Sequence, residues 1–292
     1  ERKLLRLYAD FQGNITSKKF RWLAGLGMYD YQIGKVDINR LNKGKNDADK
    51  LPDTTSLYEH YVDWGLISQD EAKGGNLKMI KAGFIIDTRD IEANPSKGMW
   101  SEMLVQSAPS FLGNKNDFVR LSVIHRQYFT LLKNKLTFVY KLGYQSSLAG
   151  KTPFYYQPLL LNSFSSASIV EGVGGSKSLR GVLRNRIVGD GIVYANAEFR
   201  YKFWQFNIFN QHIYLALNPF IDAGRVTKRI NINVKEGDKK HFNKEHDIMH
   251  YTLGCGLHAA MNENFVLSIN AGKAMSEQDG SLGLYIGTNW LF

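Results

Sequence analysis

The chain has 292 residues, of which 43% are apolar and 13% aromatic, and it contains 27 glycines, 6 prolines and one cysteine. It has no run of about 18 apolar residues, which excludes a transmembrane helix, and the single Cys255 excludes a disulfide within the chain. The formal net charge is +10, but the basic residues are spread over the whole chain, which argues against nucleic acid as a partner.

Apolar and polar residues alternate with a period of two along much of the chain, which is typical of β-strands with one apolar and one polar face. In residues 192–203, one face carries Ala197 and Phe199 while the other carries Glu198 and Arg200. About eleven such segments are predicted, starting near Leu4, Arg21, Lys78, Met99, Phe118, Lys135, Ile192, Ile213, Tyr251, Phe265 and Leu282.

The predicted connections between these segments alternate in length. The short ones are Asn14–Lys19, Arg89–Gly98, Leu131–Asn134, Gln205–Gln211 and Met261–Asn264, and the long ones are 36–77, 108–117, 146–190, 225–249 and 273–281. Short turns at one end of the strands and long loops at the other are typical of outer-membrane barrels. A lipid-facing band also explains an apolar face without a second sheet to cover it. We therefore predict an all-β, transmembrane antiparallel β-barrel in the bacterial outer membrane.

The long connection 146–190 contains the most informative stretch of the chain. Its Gly-rich part carries Leu179-Arg180-Gly181, and the two strands that follow carry Glu198 and Asp222 on their polar, lumen-facing sides. An arginine forms bidentate, charge-assisted hydrogen bonds with carboxylates in such a semi-buried lumen. We therefore expect this loop to fold into the barrel and to be held there by Arg180.

The loop over residues 225–247 is rich in lysine but also contains acidic residues. A solvated loop is the favoured interpretation of this mixture of charges. Contact with anionic lipid headgroups is the alternative.

The last ten residues, 283–292, alternate to the end of the chain and stop on an aromatic residue. They fit the Tyr-x-Gly-x-x-aromatic-x-aromatic pattern that bacterial barrel proteins present to their assembly machinery. The residues that make up this predicted sorting signal and last strand are Gly283, Tyr285, Gly287, Trp290 and Phe292.

We expect residues 1–292 to form one barrel domain that is only part of a longer protein. Counting back from a periplasmic C-terminus, the first segment runs from the cell surface inward, and eleven is an odd number, unlike the even counts of bacterial single-chain barrels. No signal peptide precedes Glu1. Upstream strands, and any periplasmic domain, are therefore expected before this residue.

At Arg180, Glu198 and Asp222 the chain resembles the BamA/TamA superfamily of outer-membrane assembly factors and translocators. In that family an extracellular loop folds into a sixteen-strand barrel, and the arginine at its tip contacts a glutamate and an aspartate on later strands. The resemblance implies that this chain is the C-terminal part of such a barrel, with loop 146–190 folded inward. It also implies that Arg180, Gly181, Glu198 and Asp222 form a brace for the loop. Val182 replaces the family's usual aromatic residue, so looser packing of the tip is expected.

A second motif supports the resemblance, which covers about residues 78–292. Asp87-Thr88-Arg89-Asp90, followed by Gly98, is similar to the family's periplasmic turn between two barrel strands. Residues 37–76 have no counterpart that we recognise.

The resemblance implies a function in protein insertion and assembly, in which a seam between the first and last strands opens to template client strands. The alternatives are a polypeptide-secretion pore of the two-partner type and a barrel that anchors an upstream fused enzyme. For the chain itself no catalytic residues, metal site, cofactor or enzymatic activity are expected. The implied partners are outer-membrane lipids including lipopolysaccharide, unfolded client outer-membrane proteins, and periplasmic or lipoprotein accessory subunits.

Overall fold

Eleven β-strands form one antiparallel sheet in a computed structural model that describes residues 1–161, 163, 169–241, 247–262 and 264–291. The strands are β1 (Arg2–Ser17), β2 (Phe20–Ile33), β3 (Gly74–Asp87), β4 (Gly98–Ala108), β5 (Phe118–Leu132), β6 (Leu136–Gly150), β9 (Gly191–Ile208), β10 (Gln211–Lys228), β11 (His250–Met261), β12 (Phe265–Ala274) and β13 (Leu282–Thr288). Two short strands, β7 (Leu159–Leu160) and β8 (Val170–Glu171), form a separate hairpin between β6 and β9. Each strand of the large sheet begins within four residues of a predicted segment, so the predicted strands are confirmed.

The connections alternate in length as predicted, except that 88–97, on the side of the short turns, has ten residues. On one side the strands are joined by tight turns such as 18–19, 133–135 and 209–210, and on the other by loops such as 34–73, 151–190 and 229–249. In the turn at Phe209 and Asn210 both residues have positive φ values, +47° and +58°. Such left-handed pairs match the twist of the strands that they connect. β1 and β13 are the two edges of the sheet, and they do not pair with each other within the described ranges.

Loop 34–73, in the region without a recognised family counterpart, contains both α-helices of the described residues. They are α1 (Ile38–Asn42) and α2 (Leu57–Asp63), and 3₁₀ turns occur at Asp47–Asp49, Ser110–Leu112 and Glu236–His241. α2 begins at Ser56, whose hydroxyl accepts a hydrogen bond from the backbone of Glu59 while the Glu59 carboxylate accepts one from the backbone of Ser56. In the described part of the chain, every helix is too short or too polar to cross a bilayer.

The two faces of the sheet differ in burial and in polarity. On β9, Asn196, Glu198 and Arg200 are buried, whereas Phe199 and Tyr201, which alternate with them, are exposed. The same alternation on other strands leaves a band of large apolar side chains exposed on the outer face, among them Ile221, Leu253, Leu257, Leu267 and Ile269. The free Cys255 is also exposed, on the outer face between Leu253 and Leu257. One face therefore suits lipid and the other encloses polar groups.

A β-bulge keeps the apolar side of β9 facing outward near its end. Lys202 pairs with Ala216, but the next pair is Trp204 with Leu215, so Phe203 is the extra residue on β9. Without the bulge Trp204 would share the inner face with Lys202. With it, Trp204 lies on the same side as Leu215, and 56% of its surface is exposed.

The inner face is covered by the segment between β6 and β9. Tyr155 and Tyr156 of this segment pack against Tyr29 and Tyr31 of β2 at one end of the sheet. At the other end, Gly181 of the same segment contacts β12 and β13. One stretch of chain thus reaches strands near both edges, which requires the sheet to curve around it.

The predicted alternation to the end of the chain stops at Thr288, the last residue of β13. Asn289 has a φ of +67°, and this left-handed turn reverses the direction in which the next side chain points. Trp290, which continued alternation would place on the outer face with Ile286, is instead 6% exposed and packs on the inner face with Tyr214 and Val266.

Candidate functional site

The tip of the inward-folded segment is a tight turn over residues 174–182. The backbone N–H of Gly175 donates to the carbonyl oxygens of Leu179 and Val182 (both 3.0 Å), and the Ser178 hydroxyl accepts from the backbone N–H of Gly174 (2.8 Å). These short-range bonds close the turn without a neighbouring strand. The Arg180 side chain is thereby directed toward β9 and β10.

A close approach of two backbones fixes the position of this tip. Gly181 has a φ of +99°, and a Cβ atom there would lie 2.7 Å from the carbonyl oxygen of Gly272 on β12. A Cβ on Gly272 would in turn lie 2.7 Å from the carbonyl oxygen of Arg180. Only glycine at both positions allows this contact without displacement of the loop.

The guanidinium group of Arg180 binds two carboxylates inside the sheet. Its Nε and Nη2 donate to the two oxygens of Asp222 at 2.9 and 2.8 Å, and its Nη1 donates to Oε2 of Glu198 at 3.2 Å. The backbone N–H of Arg180 also donates to Oδ2 of Asp222 at 3.0 Å. Arg180 and Glu198 are each 1% exposed and Asp222 is 0% exposed. The structure therefore brings together the arginine and both predicted carboxylates as a bidentate, charge-assisted cluster.

Three further side chains contact this cluster. Glu198 accepts hydrogen bonds from Nε of Arg200 at 2.8 Å and from Nδ2 of Asn218 at 3.1 Å. The Arg180 guanidinium also lies over the ring of Phe220, 3.3 Å from its centroid. The two arginines balance the formal charges of the two carboxylates, which offsets the cost of removing all four from water.

The tip packs tightly, so the looser packing expected from Val182 is not found. Leu179 is 0% exposed and Val182 is 1% exposed. Both belong to an apolar cluster with Val173, Ile187 and other residues. This cluster surrounds the Val182 side chain and fills the space that a larger aromatic side chain would occupy.

The braced tip is joined to the last strand. The backbone N–H of Gly181 donates to the Tyr285 hydroxyl on β13 at 2.8 Å. Gly283 and Gly287 lie on the same strand, which pairs with β12 from Leu267 to Lys273. Of the other predicted C-terminal residues, Phe292 lies outside the described residues.

Trp290 contacts two residues of the inner face. Its ring stacks on His258 with centroids 3.8 Å apart. The Arg200 guanidinium lies 4.4 Å from the Trp290 ring centroid. The Glu198 cluster is therefore linked through Arg200 to the end of the chain.

The predicted turn motif lies between β3 and β4. Arg89 donates from Nε and Nη2 to the carboxylate of Asp87 at 2.9 and 3.0 Å, and its guanidinium lies 4.5 Å from the Trp100 ring centroid. The Asp90 carboxylate accepts from the backbone N–H groups of Ile91 and Ser96. Burial raises the pKa of Asp90, but these bonds and one from the Ser96 hydroxyl outweigh it and lower the pKa below its ordinary value. Gly98 ends the turn with a φ of +93°.

A second attachment of the inward segment was missed from the sequence. Arg120 on β5 is 2% exposed and donates to the carbonyl oxygens of Tyr156, Gln157 and Leu159 at 3.2–3.5 Å. Gln145 on β6 donates to Leu159 at 2.8 Å and accepts from the backbone N–H of Leu161 at 3.0 Å. These bonds go to backbone atoms, so the partner side chains carry no matching signal. The one available signal was an arginine on the polar side of an alternating strand.

In the part of the chain that the structure describes, no three His, Cys, Asp or Glu side chains are grouped as a metal site. The cluster around Arg180 consists of ion pairs and hydrogen bonds between groups of the protein itself. Its arrangement suits the holding of a loop in place.

The chain matches the model of a protein family described as the Omp85 superfamily domain over residues 16–287. Among solved structures it is similar to BamA from Haemophilus ducreyi lacking POTRA domains 1-3, at 15% identity and a TM-score of 0.62, with 98% of this chain and 54% of that chain covered. It is also similar to CdiB from Acinetobacter baumannii, at 15% identity and a TM-score of 0.36, with 98% and 51% covered. The chain thus spans about half the length of these solved chains. No curated protein matches it.

Proposed function

The chain belongs to the Omp85 superfamily, and from this premise we propose that it inserts other β-barrel proteins into the membrane as an assembly factor of the BamA/TamA type. Its place is the bacterial outer membrane, as for that superfamily. The observation that carries the proposal is the hydrogen bond between Gly181 and Tyr285, because it connects the braced loop to an edge strand.

The proposed mechanism uses β13 as a template. An edge strand presents unpaired N–H and C=O groups to which another strand can add. β13 has seven residues, and Gly283 and Gly287 in it offer no side chains for packing, so its pairing with the strand that closes the barrel is weak. A client strand adds at this edge when the seam opens. The brace keeps the rest of the barrel in shape while the seam changes.

The inner face supports insertion rather than passage of a polypeptide through the lumen. Arg180 and the packing of Leu179 and Val182 hold the inward segment against the strands that line it. A secretion pore of the two-partner type would have to displace this segment. We propose unfolded outer-membrane proteins as the clients, and lipopolysaccharide and periplasmic or lipoprotein subunits as further partners. The chain itself supplies no catalytic residues in this proposal.

Reconstitution tests this function directly. The full-length protein in liposomes should accelerate the folding of a urea-unfolded client barrel, measured by its protection from protease and its heat-modifiable gel mobility. Empty liposomes give the baseline. Client folding at that baseline, together with ion conductance and passage of an unfolded polypeptide, would identify the secretion pore instead.

Replacing Tyr285 with phenylalanine tests the link between loop and strand. The loss of one hydrogen bond of about 1 kcal/mol should increase the disordered population of β13 about fivefold, and the client should fold more slowly. Amide hydrogen exchange of β13 and the initial rate of client folding measure these effects. Tyr251→Phe on the exposed outer face is the matched control. Exchange of β13 at the same rate in both variants would show that the hydroxyl does not order the strand.

A further inference from the structure

The connection between β3 and β4 differs from its neighbours on the same side of the sheet. It runs over residues 88–97, whereas the connections 18–19, 133–135 and 209–210 have two or three residues. This is the side of the short turns, which faces the periplasm in outer-membrane barrels. A turn of this length is not needed to join two adjacent antiparallel strands.

The turn 88–97 is held in one shape by its own residues. The Asp90 carboxylate accepts hydrogen bonds from three backbone N–H groups and from the Ser96 hydroxyl. The Thr130 hydroxyl on β5 donates to the carbonyl oxygen of Ser96 at 2.9 Å. At Gly98 a Cβ atom would lie 2.2 Å from the carbonyl oxygen of Thr88, so a side chain there would displace the turn. The turn therefore has a defined conformation that these hydrogen bonds maintain.

The turn reaches across the inner face to a distant strand. Nδ2 of Asn94 donates to the hydroxyl of Tyr214 on β10 at 2.7 Å. In the sheet, β4 and β10 are separated by β5, β6 and β9, so this bond crosses the inner face over those three strands. Asn94 is 5% exposed and Tyr214 is 0% exposed, although both lie near the short-turn ends of their elements.

The surroundings of Tyr214 close the same end of the inner face. Tyr214 packs with Ala216, Ala260, Val266 and Trp290 in an apolar cluster. Pro95, next to Asn94, is also buried. The turn and this cluster therefore meet at Tyr214, at the short-turn end of the inner face.

We propose that the turn 88–97 is a latch that closes the periplasmic mouth of the lumen, with the hydrogen bond between Asn94 and Tyr214 as its catch. The residues Asp90 and Gly98 keep the turn in the closed shape. The catch joins two side chains, so it opens without breaking the backbone hydrogen bonds that pair the strands. The latch controls access from the periplasm to the lumen, which is a separate property from strand addition at the seam.

Thiol labelling tests the latch in the full-length protein. A reporter cysteine replaces Ser268, which lies on the inner face two residue pairs above the level of Tyr214, in a Cys255→Ala background. A membrane-impermeant maleimide is then added from the periplasmic side of reconstituted vesicles. Tyr214→Phe retains the ring but removes the catch, and it should increase the labelling rate about fivefold. Asn94→Ala should have the same effect.

Glu92→Gln is the matched control, because Glu92 is an exposed residue of the same turn. It should label at the parental rate. Heat-modifiable gel mobility confirms that each barrel is folded, and if Asn94→Ala does not fold, the conservative Tyr214→Phe variant decides alone. Labelling of folded Tyr214→Phe at the rate of the Glu92→Gln control would overturn the latch, whatever the result of the client-folding assay.

Discussion

Replacing Arg180 with alanine should destabilise the folded barrel by about 3–5 kcal/mol, because the substitution leaves buried carboxylates without their cation. Asp222 would lose its bidentate partner and Glu198 would lose one of its two arginines. Both carboxylates are less than 2% exposed, so water cannot replace the guanidinium without a rearrangement. The measurement is the temperature at which the folded form is lost, followed by gel mobility or circular dichroism. Client folding should decrease with it.

Two variants separate the brace from a general effect of charge. Arg184→Ala removes the same side chain from an exposed position of the same loop and should leave stability unchanged. Arg180→Lys keeps the charge but cannot reproduce the bidentate geometry, so its stability should lie between those of the parent and Arg180→Ala. Equal thermal stability of Arg180→Ala and Arg184→Ala would contradict the brace. A double-mutant cycle with Asp222→Asn should show strong non-additivity, since the two residues act as one unit.

The strand pattern and the main charge partners were predictable because both depend on a period of two. When every second residue of a strand is apolar, acidic residues at the positions between, such as Glu198 and Asp222, are recognised as inward-facing. The alternation did not predict how many partners each of these carboxylates has. Glu198 also binds Arg200 and Asn218, and which inward side chains meet depends on register and on strand curvature.

Local backbone geometry explains most of what the sequence did not reveal. The bulge at Phe203 and the left-handed conformation of Asn289 each change the face of the sheet on which the following side chains lie. Neither is visible in the composition of its segment. The attachment of Arg120 to three backbone carbonyl groups leaves no sequence signal in its partner. The helices of loop 34–73 are short and receive their order from caps, as at Ser56, instead of from an apolar stripe.

The loop holds its neighbouring strands with unequal strength, as the proposed opening of the seam requires. At β9 and β10 it is held by charge-assisted bonds between Arg180 and two carboxylates. At β13 it is held by one bond from a backbone N–H to the Tyr285 hydroxyl. Charge-assisted hydrogen bonds are about twice as strong as neutral ones. The loop therefore restrains β9 and β10 more strongly than β13, the strand that has to change its partner in the proposed mechanism.

A disulfide that locks β13 to the strand closing the barrel should abolish client insertion. The lock joins a cysteine at Ile286, on the outer face of β13, to a cysteine facing it on the closing strand of the full-length protein, in a Cys255→Ala background. Facing residues of antiparallel strands satisfy the distances that a disulfide requires. With the seam closed, no edge is available for the client strand. The initial rate of client folding in liposomes is measured before and after reduction, which should restore activity.

The matched control joins the same cysteine at position 286 to β12, the strand on the other side of β13. Ile286 pairs with Ile269 on β12, and both side chains are exposed on the outer face. The Ile269→Cys/Ile286→Cys lock therefore joins two strands that stay together in the proposed mechanism, and it should insert clients at the parental rate. Continued insertion by the seam-locked form would reject the opening of the seam. Equal loss of activity in both locked forms would assign the effect to stiffening of β13 itself, because the two locks share only that strand.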